Sequence, residues 1–408
     1  MLGVSFMNSF CGLLDNLLTW SAWEKDSESS QAEGHDRQQQ QQLLPGLPDD
    51  ITLGKISPKL PWKTLYTLSS VSRVWRDAIR SRKVYNARVQ SGSMETLVAV
   101  FRAGHFTSEL WSTRDGSLIK FPPVPHLGGR LLSSDGKIYL LGGPEDNCEP
   151  ASDQPSLTSV FVLDVAGQGL WKKCASMTAP RLAHHHGFGV DIQGKIYVLE
   201  GFSSRRSGSK FCGSEVYDPT TDEWSPIIEP MHEANLPAHV SAHAPRVYTV
   251  GEELFVVSQG LHAYEVHAYR PVKGEWRAIN NFPMNETQGV MFVARGKLHW
   301  MKRASIDVYN VEENAWTELH SFSFASRYRS DIAVRLSRRL LVVVGDELLV
   351  ELGAYRLTRT TAKGVKFEFC LAKSLGFAGE QKEIVWQEAA PLAEVPKKFM
   401  YALFTVLV

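Results

Sequence analysis

Two hydrophobic patterns follow one another along the chain. Between residues 43 and 90, Leu65, Leu68, Val71, Trp75 and Ile79 recur every three or four positions, which places them on one stripe of a helical segment. Pro48 followed by Asp49 and Asp50 reads as a helix start, because proline fits the first turn and acids there face the positive end of the helix dipole. Pro58 and Pro61 punctuate the segment, so it predicts two or three short helices rather than one. About 45 residues of helix bury little apolar surface, and such a module is expected to lean on a partner.

From about residue 94 the texture changes to short β-rich runs separated by turn residues, and the runs repeat. GKIYLLGG at Gly136–Gly143 is answered by GKIYVLEG at Gly194–Gly201, with looser copies at Gly251–Gly260 and Gly296–Met301. A second unit follows each of them: LDVAGQGLW ending at Trp171, YDPTTDEW at Tyr217–Trp224, YRPVKGEW at Tyr269–Trp276 and YNVEENAW at Tyr309–Trp316. In the last three, Tyr and Trp stand seven apart. Each copy reads as strand, turn and strand, with the aromatic residues filling the space between neighbouring sheets. One such sheet cannot bury both of its faces, whereas a ring of them can, which is the β-propeller solution.

Closing strands near Ile119, Leu170, Trp224, Trp276, Trp316 and Val385 predict six blades. The first copy, TLVAVF then ELWSTRDGSLIKF, lacks a preceding strand, and FMYALFTVLV at Phe399–Val408 has none after it. The C-terminal strand 399–408 is therefore expected to join the first blade and remove its open edge. The fold class expected is mainly β, a six-bladed propeller over 94–408 behind a small all-α module at 43–90. Residues 1–42 are expected to be disordered or low in complexity, since 24–42 is polar and Gln-rich. Within them, Phe6, Phe10, Leu13, Leu14, Leu17 and Leu18 have the spacing of a short amphipathic helix.

Charge and composition narrow the function. Lys+Arg and Asp+Glu are balanced at 44 each, so the total gives no sign of attraction to nucleic acid or to an anionic membrane, and neither is expected as a partner. Five scattered cysteines without a CxxC suit free thiols in a reducing compartment, cytoplasm or nucleus. No apolar run reaches the length of a membrane span. The first 20 residues lack a basic start and contain Asp15, so a signal peptide is not expected.

Catalytic signatures are missing: there is no GxSxG, P-loop, HExxH or dinucleotide fingerprint. His184, His185 and His186 are adjacent, and on a strand only the outer two share a face, so a zinc site with three ligands and an oriented second shell is not expected. No cofactor is expected.

The glycine-rich and Tyr…Trp units resemble kelch repeats. Residues 46–85 resemble an F-box: Leu47-Pro48, Ile51, Leu60-Pro61, Leu65, Leu68 and Val71-Ser72-Arg73-Val74-Trp75 stand in the family's order. Gly54 and Pro58 depart from its usual first helix. In this order the motifs resemble the plant F-box/kelch-repeat proteins.

That resemblance implies a non-catalytic substrate-recognition subunit of a Skp–cullin–F-box ubiquitin ligase. The F-box would dock a Skp-family adaptor through Leu47, Pro48, Ile51, Leu60, Leu65, Leu68 and Trp75, as a helix enters an apolar groove. The propeller would hold the protein to be ubiquitinated and degraded. Val71, Trp75 and Ile79 have a competing explanation as the module's internal core. Arg205, Arg206 and Lys210, in a basic insertion, are candidates for gripping an acidic loop of the target. Two other readings compete: a kelch scaffold whose helical segment serves only structure, and a kelch-fold copper oxidase. The dispersed cysteines and the F-box argue against the oxidase.

Overall fold

The seven-residue spacing of Tyr and Trp is a hairpin register. Tyr217 stands directly opposite Trp224, Tyr269 opposite Trp276 and Tyr309 opposite Trp316. Their ring centroids lie 5.1, 4.7 and 5.4 Å apart. Two residues before each Trp the backbone enters the left-handed region, at Asp222, Gly274 and Asn314. These are residue types that tolerate positive φ, which is why the turn keeps one of them there. In two of the turns the tyrosine hydroxyl also ties that residue down, donating to Asp222 Oδ1 at 2.7 Å and to Asn314 Oδ1.

The computed structural model describes residues 42–102 and most of the strand framework to residue 407. Outside the described residues lie 1–41, 143–157, 180–189, 203–210, 228–245, 280–289, 322–340, 353–367, 374–384 and 389–399, with shorter stretches between. Among the described residues, the strands build six four-stranded antiparallel sheets. The first holds β1 (Thr96–Arg102), β2 (Thr107–Ser112), β3 (Leu118–Phe121) and, beside β1, β26 (Met400–Leu407). The second is β4 (Arg130–Ser134), β5 (Lys137–Leu141), β6 (Val160–Asp164) and β7 (Lys172–Cys174). The third joins β8 (Val190–Ile192) and β9 (Lys195–Val198) to β12 (Glu215–Asp218) and β13 (Glu223–Pro226), with a short ribbon of β10 (Gly201–Phe202) and β11 (Phe211–Cys212) between them in sequence.

The fourth sheet is β14 (Arg246–Val250), β15 (Glu253–Gln259), β16 (Tyr264–Arg270) and β17 (Glu275–Ile279). The fifth is β18 (Val290–Ala294), β19 (Lys297–Met301), β20 (Ser305–Asn310) and β21 (Ala315–Ser321). The sixth is β22 (Leu341–Val344), β23 (Glu347–Leu352), β24 (Glu368–Lys373) and β25 (Val385–Glu388). One edge strand of each sheet neighbours that of the next, in the cycle β26, β4, β8, β14, β18, β22 and back to β26. This is a β-propeller. Met400–Leu407 runs antiparallel to Thr96–Arg102, from Leu407 opposite Thr96 to Met400 opposite Arg102.

Neighbouring sheets bury their faces against each other. Tyr139, Leu141 and Val160 of the second pack with Ile196, Val198 and Tyr217 of the third. Phe255, Val257 and Val266 of the fourth pack with Leu298, Trp300 and Tyr309 of the fifth. Indole N–H groups fasten successive sheets: Trp171 Nε1 donates to Pro122 O at 3.3 Å and Trp224 Nε1 to Ala175 O at 2.9 Å. Both acceptors directly follow the last strand of the preceding sheet, so one repeat period separates donor and acceptor.

The helical module has more pieces than the two or three helices expected from sequence. It begins with α1 (Asp49–Ile51), widens into a π turn at Thr52–Ile56 and tightens into a 3₁₀ turn at Ser57–Lys59. Gly54 and Pro58 fall in those irregular turns, where a regular helix would accommodate them poorly. Then come α2 (Trp62–Val71), α3 (Arg73–Arg80) and α4 (Lys83–Ser91). Ser72, extended at φ −137° and ψ 137°, separates α2 from α3, and Arg82 at φ 62° turns the chain into α4.

The module leans on the propeller. Trp62 and Tyr85 share one buried cluster with Leu97, Leu110, Ile119 and Phe121 of the first sheet, Val124 just after it, Ile138 and Leu163 of the second sheet, and Ala166 in the turn after β6.

Candidate protein-docking site

The docking candidates start from the turn that precedes α1. Gly46, at φ 79°, lets Leu47 N–H return to Leu44 O at 3.0 Å. Asp49 Oδ1 accepts from Leu43 N–H at 2.9 Å, which anchors the approach to the helix. Pro48 precedes the first helical residue, and Asp49 and Asp50 occupy the first turn. Leu47 is half-buried, Pro48 is exposed, and Ile51 is 40% exposed. These three sequence candidates lie at the surface.

The other four lie inside. Leu60, Leu65, Leu68 and Trp75 are 3–4% exposed, and Ile79 is 2% exposed. Each such burial contributes about 1.5–3 kcal/mol to holding the module together. Val71 breaks the stripe that the sequence spacing suggested. It is 49% exposed, because α2 ends there and extended Ser72 resets the phase before α3. Tyr66, 38% exposed on α2, was missed by sequence reasoning; it stacks on Trp62 with centroids 5.5 Å apart. Surface apolar groups on α1 and α2 are thus Ile51, Tyr66 and Val71, beside Leu47 and Pro48.

What fixes these helices is a set of polar contacts to the propeller, buried at Glu95 and more exposed at Asp135. Glu95, at the threshold of β1, accepts from Trp62 N–H at 2.8 Å and from the Ser112 hydroxyl at 2.7 Å. Its Oε2 also lies 3.5 Å from Arg88 Nη2, and Arg88 Nη1 donates to Leu60 O at 2.8 Å. Arg88 is 1% exposed; burial lowers the pKa of its guanidinium, and Glu95 opposes that shift. Arg82 reaches the turn between β4 and β5 and the end of β6 in the second sheet. It donates to Asp164 Oδ1 and Asp135 Oδ2, both at 3.0 Å, and to Asp135 O at 2.6 Å.

The guanidinium of Arg82 also covers the ring of Tyr85, 4.2 Å from its centroid. Burial, with Asp135 beside it, pushes the Tyr85 phenol up to about 12. Under that ring sits Gly136, at φ 68°, where a Cβ would come within 2.7 Å of Tyr85 Cε2.

Arg205, Arg206 and Lys210 lie outside the described residues, as do His184, His185 and His186. Among the described residues no group of three His, Cys, Asp or Glu could hold a metal ion, and no helix is long and apolar enough to cross a membrane.

No family model matches the chain. Curated relatives do. It is 28% identical over 316 residues to the F-box/kelch-repeat protein SKIP30 of Arabidopsis thaliana, covering 74% of this chain and 83% of that one. It is 29% identical over 299 residues to the F-box/kelch-repeat protein At4g39580 of the same organism, covering 67% and 71%. A third, the F-box/kelch-repeat protein At1g22040, is 24% identical over 326 residues, covering 68% of this chain and 60% of that one. A helical module packed on a β-propeller thus accompanies a likeness to F-box/kelch-repeat proteins that covers 67–74% of the chain.

Proposed function

We propose that this chain is the target-recognition subunit of a Skp–cullin–F-box ubiquitin ligase and is itself non-catalytic. Residues 43–90 act as the F-box and 94–408 as the propeller, whose six sheets we count as six blades closed by the C-terminal strand. One observation carries the reading. The module buries Leu60, Leu65, Leu68, Trp75 and Ile79, and still leaves Ile51, Tyr66 and Val71 in solvent. Exposed apolar groups on a rigid support suit a partner's groove.

Leu47, Pro48 and Ile51 then touch a Skp-family adaptor, while the buried residues act indirectly by holding the helices. The adaptor joins the chain to a cullin–RING ligase, and the propeller holds a protein target in the cytoplasm or nucleus. Arg205, Arg206 and Lys210 remain the proposed grip on an acidic target loop. The test is co-expression of the full chain with a Skp-family adaptor, followed by size exclusion. A stoichiometric complex that supports ubiquitin transfer with a cullin–RING module is expected. Separate elution of two folded proteins would refute it.

A second reading, a kelch scaffold without ligase function, draws on the shared core of module and propeller. Trp62 and Tyr85 are used by the first two sheets whether or not an adaptor exists. The same co-expression decides between the two.

A further inference from the structure

The zero net charge of the chain conceals an asymmetry. Residues 43–90 hold nine Lys and Arg against three Asp, an excess of six positive charges that the rest of the chain offsets. Three of the nine have internal work: Arg82 on Asp135 and Asp164, Arg88 on Leu60 O and Glu95, and Arg76, whose Nε donates to Ser69 O at 2.9 Å. The other six, Lys55, Lys59, Lys63, Arg73, Arg80 and Lys83, are all exposed. Among the described residues none of these six holds an ion pair.

Their placement follows the helices. On α3, Arg73 and Arg80 stand seven apart on the side opposite buried Trp75 and Ile79, with exposed Asp77 between them. On α2, Lys63 stands one turn before Tyr66 on the exposed side. Along α2 and into α3, exposed Lys63, Tyr66, Val71 and Arg73 thus set apolar groups between cations. A cationic rim around apolar contacts calls for a partner with an apolar receptor and an anionic border.

We infer that the solvent face of the helical module docks an acidic protein surface, and that charge as well as apolar burial selects the adaptor. This rests on the adaptor reading above. Charge on such a rim acts chiefly through encounter, and it is screened within about 10 Å at 0.1 M salt.

The experiment measures binding of the full chain to a purified Skp-family adaptor at about 50 and about 300 mM NaCl. Arg73→Glu/Arg80→Glu is compared with wild type, and Lys273→Glu, an exposed change on the propeller, serves as the control. Unchanged melting temperatures establish that each variant folds. The affinity should fall at least about tenfold with salt and at least about tenfold in the double variant, with no change in the control. Wild-type affinity in the double variant, or affinity indifferent to salt, overturns the inference while the adaptor reading stands. Absence of any adaptor binding overturns both. Duplex DNA and phosphatidylserine vesicles are run alongside; tighter binding to either than to the adaptor overturns the choice of a protein as the occupant.

Discussion

Glu95 and Arg88 meet where the helices join the first sheet, and both are almost out of solvent, at 6% and 1% exposure. A buried pair is costly to break from one side, because the remaining charge stays buried without its counterion. Glu95→Ala should therefore destabilise the chain by about 3–5 kcal/mol in urea unfolding. Arg88→Met combined with Glu95→Gln should cost clearly less than the single change. A Glu95→Ala penalty below about 1 kcal/mol would mean that the pair does not hold the junction. Gly136 gives a second residue-scale test. Alanine there must adopt a positive φ and meet Tyr85, so Gly136→Ala should lower stability by about 1–3 kcal/mol.

Protonation supplies a third. Burial alone would raise the Glu253 pKa, but hydrogen bonds from Arg277 and Arg270 outweigh it and hold the carboxyl below its ordinary 4.5. A carboxyl depressed by folding stabilises fully above its unfolded value, and that contribution fades as the pH falls through the lower folded value. The wild type should thus lose stability below about pH 4.5, and Glu253→Gln should show a shallower acid limb. Parallel acid limbs in the two proteins would contradict this.

At the scale of elements, legibility in the sequence tracked how local the physics is. The Tyr…Trp pairs could be read directly, because a hairpin's register is set by its own turn and by residues such as Asp222 and Asn314 that accept positive φ. Helical period alone put Leu65, Leu68, Trp75 and Ile79 on one stripe; that all four are buried, although the resemblance offered Leu65, Leu68 and Trp75 as adaptor contacts, depends on how the helices pack. Val71 did not, since its outward position depends on the break at Ser72. A serine before Arg73 is a conventional helix start and was the one available signal. Arg82 carried no signal at all. A left-handed arginine is specified by Asp135 and Asp164, which lie 53 and 82 residues further along the chain.

The strand β26 is tested at this scale too. Its pairing covers the whole of β1, so deleting Phe399–Val408 exposes an apolar edge and leaves the first sheet incomplete. The truncated chain should aggregate or melt at least about 5 °C lower, and an unchanged melting temperature would show that the ring does not need this strand.

For the whole molecule, the junction ties the helical module to the propeller. Trp62, Tyr85, Arg82 and Arg88 are shared between them, so the helices are held at a set position relative to the first two sheets. We propose that the exposed residues of this module, rather than its interior, engage a Skp-family adaptor. Calorimetric titration of the full chain with that adaptor tests it most directly, comparing wild type with Leu47→Asp/Ile51→Asp. A one-to-one complex is expected, lost in the double variant while its melting temperature stays unchanged. Full-strength binding by that variant, or no binding by a folded wild type, would contradict it.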